Sequence, residues 1–283
     1  MKKYYFSLIL ASFVLISCSD SISPVNAALE KQILHFGNGS EPQGLDPHIV
    51  TGVPEHHLLI SMCEGLTISN PRGGENLPGV AESWEISDDG KIYTFFLNKE
   101  AKWSNGDPLV AEDFVWSWMR ILTPSLGSQY PDMLYYVKGA ADFHQGKNDD
   151  FSSVGVKAIN DHELQVELKN PTPFFIKLLS HYSTYPVHKQ TVLAHGSIDD
   201  RNGQWTRPGN FVCNGPMNLK TWELNKQITV EKNPLYWDAK NVKLNEIRYY
   251  PVQNESTEDR MFRAGQLHVT NVVPLEKCPV YIE

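Results

Sequence analysis

The chain has 283 residues, a formal charge of −8, and 41% hydrophobic and 11% aromatic residues. Acids outnumber bases and no stretch gathers Lys and Arg, which argues against a nucleic-acid partner. The length suits two modest domains rather than one, and the single long apolar run lies at the N-terminus.

That run, "YYFSLILASFVLI" after Lys2 and Lys3, has the basic start and modest apolar stretch of a secretory leader, too short for a spanning helix. It ends at "LISC", which resembles the bacterial lipoprotein signal. The resemblance implies a leader over residues 1–17 and a diacylglycerol on Cys18, anchoring the chain to a membrane outside the cytoplasm. A plain leader cut after Val25-Asn26-Ala27 is the alternative. Loss of Lys2 and Lys3 with the leader takes the charge to about −10. Residues 18–31, rich in Ser, Pro, Asn and Ala, read as a tether.

The ordered elements follow. "ILHF" is a strand, and the Pro- and Gly-rich "GNGSEPQGLDPHIVTGVPE" is a fixed loop. "HHLLISMCEGL" reads as a helix with Leu58, Leu59, Met62, Cys63 and Leu66 on one face. Strands between Trp84 and Leu97 flank the Asp-Gly turn of "SDDGK", and a second tight turn falls at Asn105-Gly106. "AEDFVWSWMRIL" is an amphipathic helix with Phe114, Trp118, Ile121 and Leu122 inward, acids in its first turn and Arg120 near its end, as the helix dipole prefers.

"MLYYVKGAADFHQG" reads as a further helix, "VKAINDHELQVEL" as a hairpin and "PFFIKLL" as a short helix. Strands separated by Asn and Gly turns fill the region from "GNFVCNGP" to "KLNEIRYYPV". "STEDRMFRAG" is a helix capped by Ser256 with Asp259 three residues on, and closed by Gly265. A strand in "QLHVTNVVP" would complete a βαβ unit.

Cys63, Cys213 and Cys278 are an odd set with no zinc spacing. Free buried thiols are the favoured reading, and a Cys213–Cys278 disulfide is the alternative. No nucleophile elbow, H-E-x-x-H, P-loop or dinucleotide loop is present. His56 and His57 are adjacent and point apart on a helix, so they make no metal site. The reading is of a chain that is not an enzyme and needs no cofactor or metal.

Four stretches in order, "GSEPQGLDPHIVTGVPE", "LPGVAESWEISDDGKIYTFFLNKEAKWSNGDPLVAEDFVWSWMR", "VKAINDHELQVELKNPTPFF" and "NGPMNLKTWELNKQITVEKNPLYWDAKNV", resemble the bacterial extracellular solute-binding proteins of family 5, and within it the oligopeptide-binding members. The resemblance implies a mixed α/β periplasmic binding protein-like fold of type II: lobe I from residues 32–63 and 191–283, and lobe II, 64–190, inserted in it. It implies a monomeric substrate-binding component of an ABC importer that holds oligopeptides through backbone hydrogen bonds and docks on permease subunits.

Residue by residue, Thr51-Gly52-Val53 matches the loop whose main chain pairs with the peptide, with Thr51 where relatives often carry an acid. Tyr130 matches a ring lining the cleft. Asn271 matches one of an Asn pair whose second member is Val272 here. Trp103 and Tyr236-Trp237 are implied to be structural. The resemblance stops near Pro274, where a third, closing lobe begins in relatives. A shortened, non-transporting surface lipoprotein, or a gene fragment lacking a closed cleft, is therefore the alternative reading.

Overall fold

The computed structural model describes residues 23–282 as a mixed α/β fold on two four-stranded sheets. The leader and Cys18 lie outside the described residues.

Helix α1 (Pro24–Leu29) leads into β1 (Ile33–Gly37), a long loop, and α2 (Val53–Met62). A two-residue ladder, β2 (Thr67–Ile68) with β3 (Leu77–Pro78), precedes the hairpin β4 (Ala81–Ile86) and β5 (Ile92–Leu97). Then come α3 (Ala111–Leu122), α4 (Ala140–His144), β6 (Val156–Asn160), β7 (Glu163–Glu167), α5 (Phe175–Leu178) and α6 (Lys189–Ala194). The last third holds β8 (Met217–Glu223), β9 (Gln227–Lys232), β10 (Glu246–Tyr250), α7 (Glu255–Arg263) and α8 (Cys278–Ile282).

One sheet has the order β4-β5-β7-β6 and is antiparallel throughout. Its inner face follows from alternation: Tyr93, Phe95 and Leu97 of β5 are buried, with Val166 opposite Tyr93 and Leu164 opposite Phe95. Helix α3 packs here through Phe114, Trp118, Ile121 and Leu122, the face its spacing predicts. Its start is held by Asp113, whose carboxylate accepts the Val110 N–H at 2.9 Å and the Trp103 indole at 3.2 Å. Phe95 is fully buried, and truncation to Ala would cost about 3–5 kcal/mol.

The other sheet has the order β1-β10-β9-β8, with only the β1–β10 pair parallel. Helix α2 buries Leu58, Leu59 and Met62 in the same core as Ile228, Val230 and Tyr249. Buried residues within 66–179 build the first core and residues from 45–63 and 182–249 the second, while a third cluster packs Trp116 against Val187, Val192 and Trp205.

Five expectations are corrected. Cys63 and Cys213 form a disulfide across 150 positions, and Cys278 is the free thiol among the described residues, so neither the free-thiol reading nor the Cys213–Cys278 pair holds. The fold brings the end of α2 against the segment before β8, where the Gly215 N–H donates to the Met62 carbonyl at 2.8 Å.

The part of the expected tether from Ser23 onward is ordered. Pro24 starts α1, Ala28 is buried, and the Val25 N–H donates to the Gly265 carbonyl at 3.0 Å. The cap of α7 is Asn254, not Ser256, because the Asn254 side chain accepts the Thr257 N–H at 2.8 Å while Asp259 is engaged by Tyr281 and Arg263. The helix expected around residues 133–146 breaks at Gly139, whose φ is 74°, leaving a 3-10 turn before it and α4 after it. "QLHVTNVVP" contributes a single parallel bridge, Val269 to Phe36, instead of a strand.

Candidate functional site

The loop before α2 runs extended into a helix with proline in its first turn. Gly52, the N-cap, is extended at φ −85° and ψ 158°, and Pro54 follows in the first turn. Glu55 folds back to accept the Gln43 N–H at 2.6 Å. A Cβ on Gly52 would collide with that carboxylate, so a glycine is needed here for close approach, not for its φ. Among the described residues the N–H groups of Thr51, Gly52 and Val53 take no acceptor. Thr51 and Val53 are exposed, so the segment entering α2 carries unspent donors at a helix start.

An aromatic cluster flanks this segment. The Tyr130 hydroxyl reaches the Thr51 carbonyl at 3.4 Å, and the Tyr182 hydroxyl donates to the Val50 carbonyl at 3.1 Å. Tyr130 stands edge-on to His181 with ring centroids 5.0 Å apart, His181 stacks on Tyr182 at 4.4 Å, and His56 lies 5.7 Å from Tyr182. Burial pushes His56, His57 and His181 below the usual imidazole value, so the cluster is uncharged at neutral pH.

Thr51 and Tyr130 therefore meet, while Asn271 stands one segment away. Its N–H donates to Glu258 Oε1 at 3.2 Å, and its side chain lies against Gly39. The neighbouring Asn38 is buried and donates to the Pro54 carbonyl at 3.2 Å. Its Oδ1 accepts from His57 Nδ1 at 3.0 Å. Asn271 is thus joined to the loop through Asn38–Gly39, with no direct hydrogen bond to Thr51 or Tyr130 among the described residues.

The loop is anchored from behind. Asp46 is clasped by Arg120 of α3, which also donates to the Ile198 carbonyl at 2.9 Å and meets His48 Nδ1 at 3.0 Å. Burial alone would raise the Asp46 carboxyl, but Arg120 more than offsets it and holds the group below the usual range. Sequence reasoning missed Asp46, Glu55, Arg120, His181 and Tyr182. The one available signal was the lone arginine inside the apolar "WMRIL".

Residues 76–282 match the model of the bacterial extracellular solute-binding proteins, family 5 Middle. The chain belongs to that family. It is 43% identical over 250 residues to the periplasmic oligopeptide-binding protein OppA of Escherichia coli K12, spanning 87% of this chain and 44% of that protein. The oligopeptide-binding protein OppA of Bacillus subtilis is 39% identical, covering 88% and 44%. A crystal structure of Haemophilus influenzae OppA in complex with RPPGFSPFR superposes with a TM-score of 0.83 at 37% identity, covering 89% of this chain and 48% of that one. The chain thus spans a little under half the length of the relatives it matches, and within that span its fold is that of the type II periplasmic binding proteins.

Proposed function

We propose that this chain carries part of the oligopeptide-binding cleft of an ABC-importer receptor. The carrying observation is the exposed segment Thr51-Gly52-Val53, which enters α2 with unspent N–H donors beside the Tyr130–Tyr182–His181 rings. Such a segment binds an extended chain by main-chain hydrogen bonds, which serve any side-chain sequence, while rings cover the ligand's flanks. Residues 64–190 act as an inserted lobe on a first lobe formed by 32–63 and 191–283, a reading supported by a core whose buried members all lie within 66–179. The receptor binds its ligand without transforming it, passes it to permease subunits, and is held at the membrane by lipid on Cys18.

The test is titration of short peptides into the wild-type chain and Val53→Pro. Proline is tolerated at a first helical position, so this variant deletes one donor with little strain. Micromolar or tighter binding by several unrelated sequences, weakened about tenfold or more in the variant at unchanged melting temperature, is the expected result. Equal binding by both chains, or none by wild type, overturns the reading.

A further inference from the structure

The chain leaves α2 through Cys63 into Glu64, whose side chain the site described above does not use. Glu64 is 4% exposed. Its carboxylate accepts the Tyr236 hydroxyl at 2.7 Å and the Trp237 indole N–H at 2.8 Å. Its main chain is clamped by Asn214, which accepts the Glu64 N–H at 3.0 Å and donates to the Glu64 carbonyl at 2.8 Å. Both side-chain partners are neutral, and no Lys or Arg pairs with it among the described residues. A charged carboxylate buried this deeply normally has a cation beside it. Burial accordingly pushes Glu64 up to about 7, with a smaller contribution from Asp238.

Glu64 lines a cavity of about 360 Å³, within the size range of small-ligand sites. Ile60, Ile68, Pro71 and Pro216 supply apolar walls, and Tyr236 also faces it. The cavity shares His56 with the aromatic cluster, so it adjoins the proposed peptide-binding segment. An anion would meet the carboxylate's repulsion, and a purely apolar group would bury it further without compensation. Apolar walls with a carboxylate that has hydrogen-bond donors but no cation beside it suit an aliphatic stem ending in a cation.

We propose that this cavity is a subsite for a Lys or Arg side chain, with Glu64 as its counter-ion. The inference rests on the peptide-binding reading. The other titratable groups around Glu64 are Tyr236, Tyr185, Asp238 and His56. Burial pushes both tyrosine hydroxyls up and His56 down, so none brings a positive charge at neutral pH.

The test compares Ala-Lys-Ala with Ala-norleucine-Ala on the wild-type chain from pH 5 to pH 8, and again on Glu64→Gln. The expected result is a preference for lysine of about 10–100-fold at pH 8 that shrinks toward pH 5 and disappears in Glu64→Gln. Equal affinities for both peptides across the range would overturn the subsite and leave the peptide reading standing. If neither peptide binds, the peptide reading has failed, and n-butylamine tests the subsite alone. A saturable shift of the Trp237 indole resonance, assigned with Trp237→Phe and absent in Glu64→Gln, supports it. No shift rejects it.

Discussion

Arg120 grips Asp46 with two parallel hydrogen bonds, Nη1 to Oδ1 at 2.9 Å and Nη2 to Oδ2 at 2.6 Å, and so fastens the loop that leads to Thr51 onto α3. The arginine is wholly buried and the aspartate nearly so. Removing one partner strands the other charge out of water. Arg120→Met should therefore cost about 3–5 kcal/mol in urea unfolding, and Asp46→Asn a similar amount. Pairing Arg120→Met with Asp46→Leu should recover part of that loss. If each single variant costs under 1 kcal/mol, the pair does not anchor the loop.

Gly52→Ala should act through Glu55. The new methyl displaces the carboxylate, frees the Gln43 N–H and shifts the Thr51–Val53 segment. Peptide affinity should fall about tenfold, and Gly52→Ala combined with Glu55→Ala should restore a part, because the clash is gone. Identical loss in both variants would mean that backbone freedom at Gly52, not close approach, is what matters.

Stability should respond to pH through two buried groups of opposite sense. Burial, with Arg120 nearby, lowers His48 to about 4, so the unfolded chain binds the proton first. That contribution to stability is full above about 6.5 and is lost as pH falls toward 4. Glu64 is raised to about 7, so the folded chain holds its proton longer. Its contribution is full below about 4.5 and is lost as pH rises through 7. The stability difference between Glu64→Gln and wild type should therefore move by about 3 kcal/mol in favour of the variant between pH 4.5 and pH 8. A difference that stays flat with pH would place the Glu64 carboxyl near its ordinary value.

The Cys63–Cys213 bond closes a loop of 150 positions. On the chain-entropy account its removal by Cys63→Ser with Cys213→Ser should cost about 5 kcal/mol, read as a lower urea midpoint. Cys278→Ser should leave stability unchanged. Of the three described cysteines, only Cys278 should take up maleimide in unreduced urea-unfolded protein, and labelling of Cys63 there would contradict the pairing.

Local pattern carried much of this fold. Tyr93, Phe95, Leu164 and Val166 alternate as half-buried strands do, and Phe114, Trp118, Ile121 and Leu122 repeat as one helix face does. What could not be read locally depends on partners distant in the chain. Arg120 looks like an ordinary cation near a helix end until Asp46, 74 residues earlier, is brought against it. The spacing of Cys63 and Cys213 likewise says nothing until α2 and the approach to β8 are side by side. Of the candidate site, Thr51 and Tyr130 were named from resemblance, and the fold sets the Tyr130 hydroxyl 3.4 Å from the Thr51 carbonyl. His181 and Tyr182 complete the aromatic cluster through a 3-10 turn, Tyr182–Thr184, that no periodicity announces. The helix and strand expected around Gly139 and Val269 failed because a left-handed glycine interrupts one and only one residue finds a ladder partner in the other.

The ring closed by Cys63 and Cys213 encloses the whole sheet that carries β4, β5, β6 and β7. A single protease cut anywhere between those cysteines leaves one covalent molecule, which parts into two pieces only after reduction. A nicked chain would therefore keep its loop before α2 linked to the enclosed sheet, and the same cut would pass unseen on a non-reducing gel.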